Sequence, residues 1–266
     1  MAILAISREY GAGGRDIGRL VAQRLGYEYV DKLRLFEDLK QLGQRWSQTA
    51  WELDEVCPTL WERHDWQYQG YIAALESLIF DYAEKDRVVL IGRGAFFLLQ
   101  EVPFCLKVRL IAALEIRLER IMLRESLDQI RAAELISRVD YDRACYLKAN
   151  YGKDWDDRSH YDLILNTGSL NYEAVADLLI RELIEKDRLA TPEAKARLTD
   201  LALARRLKAR IATDARIMAP TIQIQPGENT LEVTGVIHNP KELALIQEIA
   251  RQVCGGRKVN LALKHR

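Results

Sequence analysis

Short apolar runs alternate with segments of helical periodicity over the first 185 residues, and this alternation limits the possible folds more than any other feature. The apolar runs are residues 2–7, 88–91, 105–111 and 161–166. After the first run, apolar residues recur at helical spacing at Ile17, Leu20, Val21 and Leu25. Buried strands that alternate with helices indicate an α/β fold, a parallel sheet with helices on both faces. Such sheets bind ligands beyond the carboxyl ends of their strands.

A second, smaller part is expected at the C-terminus. The charged stretch 187–201 contains Thr191 followed by Pro192, which suit the cap and the first turn of a helix. Beyond it the pattern helix, strand, strand, helix, strand predicts a compact α+β module. We therefore predict a main α/β domain over residues 1–186, a linker helix over 187–203 and the module over 204–266.

The charges of the chain balance overall but not locally. The chain has 39 basic and 39 acidic residues. From residue 187 onward 14 basic residues stand against 8 acidic ones, so the C-terminal part is basic and the rest is acidic. The whole molecule therefore carries no net field that would identify a partner.

The four cysteines, Cys57, Cys105, Cys145 and Cys254, have no CxxC spacing and no neighbouring histidine. They give no support to a metal site or a redox motif, and we expect free thiols in a reducing compartment. The N-terminus lacks a leader pattern, and no stretch approaches the roughly 20 apolar residues that cross a bilayer. A soluble cytoplasmic protein is the expectation.

A glycine-rich loop lies between the first predicted strand and the first predicted helix. Small residues let backbone amides approach phosphate oxygens, and the following helix presents its positive end to an anion. A standard P-loop has a lysine where Gly14 stands here, so Arg15 is the substitute cation. Alternatively, the glycines serve only a tight turn. The predicted phosphate-binding residues are Gly11, Ala12, Gly13, Gly14, Arg15 and Asp16.

Six stretches of the chain resemble the cytidylate kinase-like family: ISREYGAGGRDIG, LGYEYVDK, VVLIGRGA, RLERIM, SRVDYDRA and YDLILNT. The resemblance covers about residues 1–185, and the family carries the same lysine-less loop. It implies a P-loop kinase-like fold that uses ATP and Mg²⁺ and transfers a phosphoryl group to a nucleoside monophosphate, with a cytidylate-like acceptor favoured. Magnesium would be held mainly by phosphates and water, since no carboxylate cage is evident in the sequence.

The resemblance also assigns roles to residues. Asp31 and Arg93 would position the acceptor, although Gly94 stands where ordinary cytidylate kinases have an aspartate. Asp31 could instead cap the helix that follows it. Four arginines would form a catalytic lid around the transferred group. They are Arg117 and Arg120 at its start and Arg138 and Arg143 at its far side.

Two alternatives to these functional roles stay open from the residues alone. The arginine row on the first lid helix has the spacing of a solvated helix face, and Asp140 could pair with Arg138 or Arg143 to fix a helix. Several aromatic residues fall where monophosphate kinases place an acceptor-binding insertion, although core packing is the simpler account of them. They are Trp51, Trp61, Trp66, Tyr68 and Tyr71.

Residues 204–266 resemble a BON domain, which implies a module that regulates, tethers or oligomerises the kinase-like part. Its basic residues Arg205, Arg206, Lys208 and Arg210 could meet nucleic acid or an anionic membrane, although a solvated helix face is the simpler interpretation. A homo-oligomer is compatible with this arrangement. The alternative function is a nucleotide-binding regulatory protein without turnover that signals through this module.

Overall fold

The computed structural model describes residues 2–41, 43, 46, 55–218 and 221–265. The chain forms two compact units. Unit 1 comprises Met1–Leu35, Leu53–Pro58 and Lys85–Ala194, and unit 2 comprises Phe36–Glu52, Thr59–Glu84 and Lys195–Arg266.

The strands are β1 (Ile3–Arg8), β2 (Glu28–Val30), β3 (Val88–Ile91), β4 (Cys105–Ile111), β5 (Leu163–Asn166), β6 (Gln223–Pro226), β7 (Thr230–Ile237) and β8 (Lys258–His265). The helices are α1 (Gly14–Leu25), α2 (Lys32–Gln41), α3 (Leu60–His64), α4 (Trp66–Lys85), α5 (Ala95–Leu98), α6 (Leu114–Glu125), α7 (Gln129–Tyr151), α8 (Tyr172–Asp187), α9 (Pro192–Ala212) and α10 (Pro240–Cys254). No helix of the described residues is long and apolar enough to span a membrane.

Unit 1 is built on a parallel five-stranded sheet in the order β2-β3-β1-β4-β5. All four predicted apolar runs are strands of this sheet, and the α/β prediction is confirmed. Helices α1 and α8 pack together on the sheet, where Ile17 and Val21 of α1 meet Val175 and Leu179 of α8 in one apolar core. This packing directs the N-terminus of α1 to the carboxyl ends of β1 and β3.

Helices α6 and α7 form a hairpin over residues 114–151, where the lid is predicted. Ser126 ends α6 in the left-handed conformation, and the Asp128 side chain accepts a hydrogen bond from the Arg131 amide to begin α7. Ile121 and Ile136 pack together in a small apolar cluster that also contacts Tyr10 of the glycine loop. The hairpin is therefore joined to the loop by apolar contacts as well as by charge.

Unit 2 contains the predicted α+β module, with α9, β6, β7, α10 and β8 in the expected order. Strand β7 is central, antiparallel to β6 and parallel to β8. Leu207 and Ile211 of α9 and Ile246 and Ile249 of α10 cover the sheet in a separate apolar core. The element order and the core are those of a small two-layer domain.

The boundaries of the predicted linker do not match the helices. Helix α8 extends to Asp187 and α9 runs unbroken from Pro192 to Ala212, so a linker helix over 187–203 is wrong. Thr191 does cap α9, because its hydroxyl accepts a hydrogen bond from the Ala194 amide. No glycine or proline interrupts the chain near residue 203, so nothing stops the helix there.

Basic residues of α9 contact acidic residues of α4 within unit 2. Arg206 binds the carboxylates of Asp81 and Glu84, and Arg205 and Lys208 lie 3.6 and 3.7 Å from the buried carboxylate of Glu76. These pairs replace the expected solvated face. They also explain why the compact units do not coincide with the predicted ranges 1–186, 187–203 and 204–266.

The aromatic residues near this region divide between core and surface. Tyr68 and Tyr71 are buried in α4, whereas Trp61 is 85% exposed. Core packing is therefore the correct interpretation for the two tyrosines and the wrong one for Trp61. Trp51 lies outside the described residues.

Gly70 lies where three segments of unit 2 meet, and this predicts the effect of a methyl group there. A Cβ atom at Gly70 would lie 2.5 Å from the Trp46 ring and 2.9 Å from the Ala212 carbonyl oxygen. Glycine to alanine usually stabilises a helix by about 1 kcal/mol. We expect Gly70→Ala to destabilise instead, by about 1–3 kcal/mol through overpacking. Thermal unfolding followed by circular dichroism measures the change. Gly256→Ala, in open space, is the control that leaves the midpoint unchanged.

Candidate active site at the glycine loop

Three successive carbonyl groups of the glycine loop accept hydrogen bonds from side chains outside it. Arg117 Nη1 donates to the Tyr10 carbonyl at 3.4 Å, and Arg120 Nη1 donates to the Gly11 carbonyl at 3.2 Å. The buried Thr167 hydroxyl donates to the Ala12 carbonyl at 3.0 Å. These contacts fix the orientation of the peptide groups between β1 and α1.

The amides at the start of α1 face the candidate site. Gly13 precedes the helix in the left-handed conformation and, as a glycine, has no side chain that could cap the helix. The first-turn amides of a helix have no intrahelical partner, and the helix dipole adds positive potential there. They border a cavity of about 600 Å³ that is lined by Gly11, Gly13, Gly14, Arg15 and Asp16 among others. This geometry suits an anion.

Two details refine the loop prediction. Ala12 is fully buried in the apolar core and does not line the cavity. The glycines also serve packing, because a Cβ atom at Gly13 would lie 2.5 Å from the Tyr172 ring and one at Gly14 would lie 2.8 Å from Arg8 Cγ. Packing and amide exposure therefore both require glycine, and the two interpretations of the loop do not exclude each other.

Four of the five predicted catalytic arginines fall into two groups, and the fifth, Arg143, binds Glu55 on the cavity wall. Arg15 and Arg138 are exposed and line the cavity, and no carboxylate of the described chain lies within ion-pair distance of either guanidinium. Arg117 and Arg120 do not line it. Arg117 contacts Asp140 at 2.5 Å, and Arg120 donates to the Thr167 carbonyl at 2.8 Å. The structure thus places the second pair behind the loop, as its support.

On the acceptor side, Asp31 both caps a helix and faces the cavity. Its Oδ1 accepts a hydrogen bond from the Leu33 amide at 3.0 Å, and the residue also lines the cavity. Tyr29 lies beside it with a buried hydroxyl that has no hydrogen-bond partner among the described residues. Burial raises the pKa of Tyr29 to about 12, and the charge of Asp31 adds to this, so the hydroxyl stays a donor at neutral pH.

Arg93 is not free to reach a ligand, because it binds Glu55. Its amide and Nη1 donate to the Glu55 carboxylate at 2.8 and 2.9 Å, and the Arg93 side chain is 2% exposed. Arg8 and Arg143 bind the same carboxylate at 3.3 and 3.2 Å. We call Arg8, Arg93 and Arg143 the arginine cluster. It forms part of the cavity wall.

Sequence reasoning missed Glu55 and Tyr29 as members of the site and gave Arg8, at the start of the glycine-loop segment, no role of its own. Arg8 carried a signal, since it ends the first strand at the edge where ligands bind. Tyr29 carried a weaker one, since it lies two residues before Asp31 at the end of β2. Glu55 carried none, because it is 47 residues from Arg8 in the chain and belongs to no periodic element.

Comparison with known proteins identifies the family. Residues 3–169 match the cytidylate kinase-like family. The chain belongs to the cytidylate kinase-like family. It is 28% identical to cytidylate kinase 2 of Borreliella afzelii over 188 residues, which cover 70% of this chain and 98% of that protein. The family match and this relative support a nucleotide kinase-like phosphotransferase.

Two further similarities are more limited. The chain is 34% identical to the uronate isomerase of Corynebacterium glutamicum over 104 residues, 39% of this chain and only 20% of that protein. A crystal structure of an uncharacterised protein from Eubacterium ventriosum aligns with a TM-score of 0.56 and 21% identity, over 69% of this chain and 99% of that one. The second similarity supports the fold alone.

The cavity of this kinase-like chain is lined by groups that could hold the nucleotide that the family implies. Amides at the start of α1 and the exposed guanidinium of Arg15 suit donor phosphates, and the unpartnered Tyr29 hydroxyl suits a polar group of an acceptor. Among the described residues no group of three or more His, Cys, Asp or Glu could form a metal cage. Mg²⁺ commonly takes one or two carboxylates and the substrate phosphates as ligands, and Asp16 lies on the cavity wall.

Two cysteines expected to be free are joined by a disulfide. Cys57 Sγ is bonded to Cys145 Sγ on α7, and the two residues are 88 positions apart in the chain. The expectation of four free thiols is therefore wrong for this pair, because the fold brings the Cα atoms within 5.0 Å. Cys105 and Cys254 are free and buried.

The disulfide predicts a two-step alkylation pattern. Denatured protein treated with iodoacetamide without reductant should gain two adducts, on Cys105 and Cys254, and four after reduction with a dithiol. In the native protein Cys105 should resist alkylation, because burial raises its pKa to about 12. Mass spectrometry of intact protein and of peptides counts the adducts. Four adducts on unreduced protein would show that the bond is absent.

Proposed function

We propose that this chain transfers the γ-phosphoryl group of MgATP to a nucleoside monophosphate, with a cytidylate-like acceptor. The proposal is carried by the cavity at the N-terminus of α1, into which two exposed arginines project from different elements, Arg15 from α1 and Arg138 from α7. Family membership supports the reaction type. Phosphoryl transfer depends mostly on positioning and on neutralising charge, and this cavity offers both.

The donor phosphates would lie on the amides of Gly13, Gly14 and Arg15. A phosphate oxygen of the acceptor attacks the γ-phosphorus, the bond to the β-phosphate oxygen breaks, and ADP leaves with the electron pair. Arg138 and Arg15 would neutralise the charge that develops on the transferred group. Mg²⁺, when bound, offsets charge on the donor phosphates.

The acceptor would lie beside Tyr29 and Asp31 at the end of β2. The Tyr29 hydroxyl is a donor without a partner in the described structure, and the Asp31 carboxylate retains acceptor capacity beyond its contacts with the backbone of α2. A donor and an acceptor together suit a nucleobase edge, which carries both groups. The missing aspartate after Arg93 makes this pair more important for recognition.

A second candidate is a nucleotide-binding regulatory protein without turnover. The observation that favours it is the glycine loop, in which Arg15 is one residue beyond the position of the usual lysine. In that case the C-terminal part of unit 2, which we propose to be BON-like, would report the bound state to a partner or another subunit. The protein would belong to the cytoplasm in either case.

Turnover and binding separate the two candidates in one assay series. Full-length protein with MgATP and each nucleoside monophosphate in turn should produce ADP, measured by a coupled assay. The cytidylate should give the highest kcat/KM. ATP binding by calorimetry without ADP production from any acceptor would establish the regulatory protein instead.

Arg15 is predicted to contribute to phosphate binding. Arg15→Ala should weaken ATP binding about 10- to 150-fold, equivalent to the loss of about 1.5–3 kcal/mol for one charge-assisted contact, and should leave adenosine binding unchanged. Calorimetry measures both. Arg24→Ala is a control on the same helix, because Arg24 pairs with Glu173 and Asp177 away from the cavity. Equal ATP affinity of the Arg15 variant and the native protein would contradict the assignment.

Arg138 is predicted to act on the transition state. Arg138→Ala should lower kcat by about 10²-fold or more with little change in melting temperature, since the exposed side chain has few contacts to lose. Arg131→Ala removes a charge from the same helix outside the cavity and should leave kcat unchanged. Arg120→Ala should lower the melting temperature, because it removes the hydrogen bonds that Arg120 donates to the Gly11 and Thr167 carbonyl oxygens. A loss of kcat in the Arg138 variant that only tracks unfolding would refute its role.

A further inference from the structure

Glu55 occupies the arginine cluster as a bound anion would. Its Oε1 accepts hydrogen bonds from the Arg93 amide at 2.8 Å and Arg8 Nη1 at 3.3 Å. Its Oε2 contacts Arg93 Nη1 at 2.9 Å, Arg143 Nε at 3.2 Å and Arg8 Nη2 at 3.4 Å. Three guanidinium groups and one amide thus surround a single carboxylate.

The three arginines of the cluster act on Glu55 together. Burial alone would raise its pKa, but the charges of Arg8, Arg93 and Arg143 outweigh this and hold the pKa well below the usual range. Burial and then the charge of Arg8 lower the pKa of Arg143 to about 10, even with Glu55 and Asp140 nearby. The three guanidinium groups share the Glu55 carboxylate, and Asp140 Oδ1 lies 3.9 Å from Arg143 Nη1.

Glycines let the backbone approach the cluster closely. A Cβ atom at Gly92 would overlap Arg8 Nη1 and would lie 2.7 Å from Glu55 Oε1, and one at Gly14 would lie 2.8 Å from Arg8 Cγ. Both glycines follow the carboxyl ends of central strands, at the edge of the sheet where ligands bind. The site therefore has the position and the donors of a phosphate site.

We propose that Glu55 is an internal competitor for a substrate phosphate, and that a phosphate monoester displaces its carboxylate from the arginine cluster. A phosphate monoester carries a charge of about −1.5 to −2 at pH 7 and three acceptor oxygens, so it matches three guanidinium groups better than a carboxylate does. This inference rests on the proposed function, since it assigns the phosphate of an acceptor nucleotide to this site.

The disulfide holds the competitor in place. Cys57 is two residues from Glu55, and Cys145 is two residues from Arg143. The bond therefore keeps the carboxylate beside its partners and maintains its high effective concentration at the cluster.

Disulfides in a reducing compartment are usually transient and redox-sensing. A dithiol reductant supplies two electrons and two protons, its own sulfurs form a disulfide, and Cys57 and Cys145 become thiols. Glu55 then competes less effectively.

Calorimetry with inorganic phosphate as the probe tests the competition in the full-length chain. Glu55→Gln should bind phosphate at least about tenfold more tightly than the native protein, and Arg8→Ala in that background should abolish the gain. Glu125→Gln is the matched control. It removes a carboxylate from the same cavity wall, where Glu125 contacts Arg124 and Tyr10, and should change phosphate affinity by less than about threefold.

A second, independent test changes the redox state of the Cys57–Cys145 disulfide and leaves Glu55 in place. Reduction of the native protein by a dithiol, or Cys57→Ser, should tighten phosphate binding several-fold, and reduction should not change Glu55→Gln. Equal phosphate affinity in native protein and Glu55→Gln would make Glu55 a structural counter-ion and overturn the proposal. If Glu55→Gln fails to fold, unchanged affinity after reduction and in Cys57→Ser overturns it.

These outcomes are separable from those of the kinase assay. Phosphate binding that responds to Glu55 without any ADP production would retain the internal competitor and reject the kinase. If the protein produces ADP, but neither Glu55→Gln nor reduction of the disulfide changes its affinity for phosphate, the kinase function stands and the role of Glu55 as a competitor is rejected.

Discussion

The site depends on hydrogen bonds that fix the carbonyl groups of the glycine loop. Thr167, after β5, binds the Ala12 carbonyl, and Arg120 joins Thr167 to the Gly11 carbonyl. A buried carbonyl that loses its partner costs about 1–3 kcal/mol, so the loop resists rotation of these peptides. With the carbonyls fixed on one side, the amides at the start of α1 are presented to the cavity without a lysine to organise them. The orientation of these amides is thus maintained by backbone and side-chain hydrogen bonds.

Arginines at one edge of the sheet serve different purposes according to their partners. Those paired with carboxylates or carbonyls, such as Arg117 and Arg120, maintain the loop and the hairpin. Those without carboxylate partners in the described structure, Arg15 and Arg138, keep their charge available to a ligand. Members of the arginine cluster lie between these extremes, because all three share the Glu55 carboxylate and also border the cavity. The arginines at this edge of the sheet are therefore not interchangeable.

The sequence predicted the sheet better than it predicted the site. Buried parallel strands appear as uninterrupted apolar runs, so 88–91 and 105–111 were found at their observed bounds. The roles of the arginines depend on carboxylates far away in the chain, such as Glu55, and helical spacing contains no information about them. The same holds for the disulfide, whose cysteines meet only after the hairpin has folded over residues 55–58. Helix α9 was misjudged because its partners on α4 lie more than a hundred residues earlier.

The ion pairs between α4 and α9 have a consequence for how this sequence can change during evolution. Residues 59–84 are inserted within the sequence of unit 1, yet they form a compact unit with the C-terminal residues. Glu76 is buried against Arg205 and Lys208, and a carboxylate left buried without a cation is strongly destabilising. The C-terminal part and the inserted helix therefore constrain each other's substitutions. Loss of the C-terminal part would expose the face of α4 that it now covers, so the two segments are expected to be gained, lost and altered together.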